Sequence, residues 1–188
     1  MTVAELAPGL WRWTAPHPDW KDGDDWEQDV GCVYYEGPEA TVLIDPLVPP
    51  ERERFFEALD RDLERRGLPL AIVLTCAWHG RSAQELSRRY GASGETRRGL
   101  EAHELPEIEE RIWWIAEHGA LVPGDVLLGH GNGGIRVCPD SWLGEQATPE
   151  SIRADLRPLL DLPVARVLVS HGEPVLSGGR AALERALG

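Results

Sequence analysis

The sequence predicts an α/β protein in which two sheets each carry helices, and three observations lead there. Short apolar runs with strand character alternate with segments whose apolar residues recur at helical spacing. The order strand, helix, strand, helix occurs twice. Each half also sets an aspartate after or near a hairpin strand (Asp45, Asp125) and a histidine just past a buried strand (His79, His171), the pattern of a diverged internal duplication. With 188 residues and 42% hydrophobic content, one compact domain spanning residues 1–188 is expected.

In the first half, Thr41-Val-Leu-Ile-Asp45 follows a turn-like Glu36-Gly-Pro-Glu and a β-rich Cys32-Val-Tyr-Tyr, which reads as a hairpin. Beyond Pro49 and Pro50 the period changes. Phe55, Phe56, Leu59 and Leu63 form one apolar face among charged residues, and Gly67 supplies the stop. The run Leu70-Ala-Ile-Val-Leu-Thr75 suits a strand covered on both faces, and a second helix follows with Ala83, Leu86 and Tyr90 on one side and Gly91 at its end.

The second half repeats the plan. Ile112-Trp-Trp-Ile and Ala120-Leu-Val flank the turn-like Glu117-His-Gly, a further hairpin. Thr148 is an N-cap before Pro149, and the helix it opens carries Ile152, Leu156, Leu159 and Leu160 inward. The strand Ala165-Arg-Val-Leu-Val, the polar break Ser170-His-Gly-Glu-Pro and a short helix through Ala181, Leu183 and Leu187 complete the chain. Two sheets with helices on their outer faces make a four-layer αββα sandwich, and its strand-end loops share a rim where His79, Asp125 and His171 are expected.

Composition narrows the function classes. A formal charge of −13 works against attraction to phosphate backbones, and the arginines form no stripe, so nucleic acid is not an expected partner. No apolar run approaches the roughly 18 residues of a membrane span and the start has no signal-like pattern, so a cytoplasmic protein acting without a membrane is expected. Cys32, Cys76 and Cys138 are far apart and read as reduced thiols. Trp11, Trp13, Trp20 and Trp26 crowd the first stretch, where large rings fill a core, line a cleft or cement a homo-oligomer.

Three segments, Thr41-Val-Leu-Ile-Asp-Pro46, Pro123-Gly-Asp-Val-Leu-Leu and Ser170-His-Gly-Glu-Pro-Val, resemble in order and separation the metallo-β-lactamase superfamily. The resemblance spans most of the chain. The family's most specific element, H-x-H-x-D-H after the buried strand, is broken here and reads Thr75-Cys-Ala-Trp-His-Gly-Arg-Ser. Anchored on the preceding strand, the match leaves no ligand in this stretch. Anchored on the following helix, where the spacing His79 to Leu86 to Gly91 fits, it keeps His79 after a short deletion. The helix anchor is preferred because helix spacing is tied to packing whereas loops absorb deletions.

The resemblance implies that Asp125 is the family's bridging aspartate and His171 its late histidine. With His79 these leave at most one metal position, with Trp78 where a further aspartate would stand; His103 is not counted as a ligand. Two imidazoles and a carboxylate with an open position suit one zinc, iron or manganese ion. The plainer reading is that Asp125 and His171 bond each other or loop amides, and that no metal binds. Trp78, Arg81 and His130 are candidate pocket residues, Arg81 for an anionic substrate and His130 on the glycine-rich loop 129–134, read as mobile and lying over the rim. Cys76 near His79 invites a thiol nucleophile, though a strand-end cysteine is more simply an apolar filler. The leading expectation is a metal-dependent hydrolase-like protein acting on a small ester, thioester or phosphoester. Its rival is a metal-free binding or interaction protein on the same fold.

Overall fold

The computed structural model describes residues 2–94 and 98–188, and the chain divides into two compact units. The first comprises Met1–Leu74 and Trp78–Leu100, the second Thr75–Ala77 and Glu101–Gly188. Among the described residues no helix is long and apolar enough to cross a membrane.

The first unit is a five-stranded sheet of β1 (Thr2–Ala7), β2 (Leu10–Pro16), β3 (Asp29–Glu36), β4 (Thr41–Ile44) and β5 (Leu70–Val73), in that spatial order. Strands β3 and β4 form the expected hairpin, with Tyr35 opposite Val42. Between β4 and β5 the chain passes through α1 (Arg52–Arg66), and the two strands then pair in parallel. Helix α1 stops where expected, because Gly67 takes the left-handed conformation at φ 61° and donates its N–H to Leu63. Helix α2 (Ala83–Tyr90) follows β5. Trp13, Tyr34, Leu43, Leu59 and Leu86 belong to this unit's core.

In the second unit β6 (Glu101–Leu105), β7 (Glu110–Ile115), β8 (Ala120–Val122) and β11 (Arg166–Val167) form a sheet in the order β11-β8-β7-β6. Again a hairpin, β7 with β8, precedes a helical segment, and the strand after it, β11, returns parallel to the hairpin's second strand. The helical segment includes α3 (Pro149–Leu156). Its N-cap is Thr148, whose hydroxyl accepts the Ser151 N–H while the Ser151 hydroxyl accepts the Thr148 N–H. Such reciprocal caps contribute about 1 kcal/mol. Helix α4 (Gly179–Leu187) joins α3 over a core of Leu121, Leu127, Ile152, Leu156 and Leu183.

Strands β9 (Leu127–Gly129) and β10 (Ile135–Val137) form a separate hairpin. The glycine-rich segment, expected to be a mobile loop, is this hairpin's turn. His130 donates to the Gly134 carbonyl at 3.0 Å, and Gly131, Asn132 and Gly133 all have positive φ. Glycine and asparagine tolerate that conformation, so composition that suggests a floppy loop here builds a tight reversal.

Candidate functional site

The repeated connectivity has a chemical consequence, since each unit brings an aspartate and a histidine together beyond the carboxyl ends of its two parallel strands. In the first unit Asp45 follows β4 directly and donates its backbone N–H to Val73 at the end of β5. His79 lies in a single 3-10 turn, Ala77–Gly80, beyond β5. Its Nδ1 stands 2.9 Å from Asp45 Oδ2, with both side chains only 3% exposed. A carboxylate accepts, so Nδ1 donates, and in the neutral ring Nε2 carries the lone pair.

The loop around that pair is stitched at several points. Ser82 donates its N–H to Pro46 and accepts, through its hydroxyl, the N–H of Val48. The Leu47 N–H reaches Cys32 Sγ at 3.3 Å, and Arg81 Nη1 donates to the Asp45 carbonyl at 3.3 Å. Asp45 at φ 49° and Arg81 at φ 27° are both non-glycine residues with positive φ. Two such conformations in direct contact mark a segment over-determined by its surroundings.

In the second unit Asp125 sits on the loop joining β8 to β9. Glu110, at the start of β7 and 5% exposed, accepts the Val126 N–H at 3.1 Å and so fixes that loop from beneath. Gly124 is required there, because a Cβ would lie 2.7 Å from Glu110 Oε2 and 2.9 Å from Thr75 Oγ1. His171 follows β11, and its carbonyl accepts the Gly129 N–H at 2.9 Å. The chain crosses itself tightly at this point: a Cβ on Gly129 would meet the Glu173 backbone nitrogen at 2.5 Å. The result is His171 Nε2 at 3.2 Å from Asp125 Oδ1, with the histidine side chain 7% and the aspartate side chain 18% exposed. Trp142 sets its ring edge to face with the imidazole, 6.2 Å between centroids. Cys76, buried in the same unit, brings its sulfur within 4.8 Å of an Asp125 carboxylate oxygen.

Each pair also has a protonated thiol near it. Burial pushes Cys32 up to about 11, with Asp45 among the lesser contributors. Burial pushes Cys138 up to about 11 as well, with Glu110 and Asp125 adding to it. Neither is a nucleophile near neutral pH.

Of the residues singled out in the sequence, Asp125 and His171 meet each other and His79 meets Asp45. Arg81 is tied to the Asp45 carbonyl, Trp78 is 52% exposed, and His130 is exposed at the tip of the β9–β10 hairpin. His103, not counted as a ligand, uses Nε2 to reach the Asp155 carbonyl at 2.8 Å. Sequence reasoning notes Asp45 only as part of the repeat and misses Glu110 and Trp142. Nothing in Glu109-Glu110 distinguishes the buried carboxylate from its solvated neighbour, whereas the repeat could have paired Asp45 with His79.

The architecture is that of the metallo-β-lactamase fold, an α/β sandwich. Among solved structures, the chain is similar to the metallo-β-lactamase IND-7, with a TM-score of 0.63 and 13% identity over 99% of this chain and 97% of that one. It is also similar to a metallo-β-lactamase from Erythrobacter litoralis, with a TM-score of 0.59 and 15% identity over 98% and 89% of the two chains. A metallo-β-lactamase family protein from Thermus thermophilus aligns with a TM-score of 0.53 and 18% identity over 96% and 79%. No protein-family model matches the sequence, and no curated protein matches it.

Proposed function

We propose that this chain is a metal-dependent, hydrolase-like protein with a reduced site for at most one zinc, iron or manganese ion, acting on a small ester, thioester or phosphoester. The observation that carries the reading is the 3.2 Å separation of His171 Nε2 from Asp125 Oδ1 on loops beyond parallel strands of a metallo-β-lactamase fold. Two ligand atoms on one tetrahedral ion, each ~2.0 Å from it, stand about 3.3 Å apart, so the pair suits a shared cation with little rearrangement. Cys76 adds a soft donor close to Asp125, which favours zinc over harder ions.

The ligands proposed are Asp125 and His171 of the second unit. In the first unit Asp45 holds the ring of His79 so that Nε2 carries the lone pair of the neutral imidazole. Glu110 and the Gly129 crossing hold the loops that carry Asp125 and His171. A bound divalent ion would polarise a substrate carbonyl or phosphoryl oxygen and make water nucleophilic near neutral pH. Trp142 beside His171 lowers water access to that imidazole, and the partly exposed Asp125 leaves the site open to substrate.

Elemental analysis of protein purified without chelator tests the proposal. About one equivalent of metal is expected, lost in His171→Ala without loss of the cooperative thermal transition. Asp125→Asn is expected to abolish turnover of p-nitrophenyl esters and bis-p-nitrophenyl phosphate. Metal-free protein that stays inactive after zinc, iron and manganese are added back would overturn it.

A further inference from the structure

A second site lies in the first unit, lined by neither Asp45 nor His79. Between α1 and the face of strands β1 to β4 is a cavity of about 310 Å³. Its walls are aromatic and aliphatic: Trp11, Trp13, Tyr34, Leu43 and Phe55, with Ala58 facing in from the helix. Protein interiors leave few voids larger than a water molecule, and this volume falls at the small end of the range for small-molecule pockets. On α1 Leu59 is the one fully buried residue, while Phe55, Phe56 and Leu63 pack partly buried against the unit's core.

The charges at its edge are specific. Arg54 and Arg61, seven residues apart and so on one face of α1, both line the cavity. Neither guanidinium forms an ion pair with any described residue, although the chain carries a net charge of −13. Glu51, three residues before Arg54, interacts with it coulombically without an ion pair. The acidic group on the same edge, Asp62, is held by Arg65 at 3.2 Å. Inside, the polar groups are already satisfied: Trp13 Nε1 donates to the Leu47 carbonyl at 2.9 Å, and the Tyr34 hydroxyl donates to Glu36 at 3.2 Å. Burial, then Asp62 and Glu36, keep that hydroxyl protonated. The pocket therefore offers an apolar body site with two cations among its lining that form no ion pair with a described residue.

We infer that this cavity binds a small amphipathic organic anion, its aryl or short acyl body against Trp11, Trp13 and Phe55 and its acidic head at Arg54 and Arg61. The inference is independent of any metal at the aspartate–histidine pairs. The probes are 8-anilinonaphthalene-1-sulfonate and its uncharged counterpart N-phenyl-1-naphthylamine, which share the apolar body and differ in the anionic head.

One equivalent of the sulfonate is expected to bind folded protein, with energy transfer from tryptophan. Ala58→Leu, which keeps a good helix former and fills the space, should weaken binding about tenfold or more. The double variant Arg54→Gln, Arg61→Gln should weaken the sulfonate about fivefold while leaving the uncharged probe within about twofold, since exposed charges contribute modestly. Trp11→Phe keeps a ring in the wall and should reduce the energy transfer, which locates the probe even if Ala58→Leu folds poorly. Absence of binding overturns the inference. So does binding that neither Ala58→Leu nor Trp11→Phe affects, and equal losses for both probes in the arginine variant overturn its anionic part.

Discussion

The two units reach an aspartate–histidine contact by the same connectivity and hold it in different ways. In the first, Asp45 and His79 are sealed at 3% exposure each, their loop is stitched by Ser82, Cys32 and Arg81, and the aspartate itself sits at φ 49°. In the second, the aspartate side chain is 18% exposed, Gly124 before it leaves room for Glu110 and Thr75, and Gly172 after the histidine takes φ 81°. A pair sealed at this level holds structure or orients a ring. An open pair on loops pinned from beneath can exchange its mutual contact for another ligand. The repeat thus divides its labour, and the division is measurable as a difference in what each aspartate contributes to stability.

The largest effect is expected at Asp45. Asp45→Ala leaves the buried His79 Nδ1 without its acceptor and puts alanine at positive φ, and breaking such a buried pair costs about 3–5 kcal/mol. Urea denaturation measures this directly; a loss below about 1 kcal/mol would mean that the first pair is not structural. Asp45→Asn, which keeps an acceptor and tolerates the left-handed region, should recover most of the loss. Next comes Gly129→Ala. The added carbon would lie 2.5 Å from the Glu173 nitrogen, so backbone must shift, with an expected cost of about 1–3 kcal/mol. The same variant should lower metal retention in the second unit, since the Gly129 N–H holds the His171 carbonyl.

These contrasts are only partly legible in the sequence. The hairpins at β3–β4 and β7–β8, the four helices and the Thr148 cap are readable because period, caps and stop glycines act locally. The strands β1 and β2 escape assignment, because Glu5, Arg12 and Pro16 interrupt the apolar alternation that tertiary pairing overrides. The glycine-rich segment is legible as a loop but not as a hairpin turn, because composition alone does not mark the left-handed geometry of Gly131, Asn132 and Gly133. Within the sites the repeat marks each aspartate and histidine, although sequence reasoning groups His79 with Asp125 and His171 and not with Asp45. Glu110 goes unmarked, because a carboxylate buried to hold one loop amide leaves no trace in its neighbours.

A smaller, pH-dependent effect tests whether both units bury a neutral thiol beside the aspartate. Cys32 and Cys138 keep their protons more tightly in the folded chain than in the unfolded one, where the ordinary value is 9.0. Above that value the unfolded chain loses its protons first. Stability is therefore intact below pH 9.0 and falls as pH rises towards about 11. Cys32→Ala should flatten that slope at some cost in packing, and Cys138→Ala should flatten it separately. A slope unchanged in both would show that the thiols titrate normally in the native state.

The smallest effect on stability, and the one that separates the pairs most sharply, is expected at Asp125. Its side chain is more exposed than that of Asp45, and asparagine keeps an oxygen acceptor beside His171, so Asp125→Asn should lower the unfolding free energy of metal-free protein less than Asp45→Ala does. If the two pairs were equivalent structural braces, Asp125→Asn and Asp45→Asn would cost alike, and neither would alter what the protein binds. If the open pair holds an ion, Asp125→Asn is instead nearly silent in denaturation of metal-free protein and decisive in metal content, because an amide oxygen is a much weaker ligand than a carboxylate. Measuring both quantities on both variants distinguishes the cases, since no single change in packing lowers metal content while leaving the unfolding midpoint of metal-free protein in place.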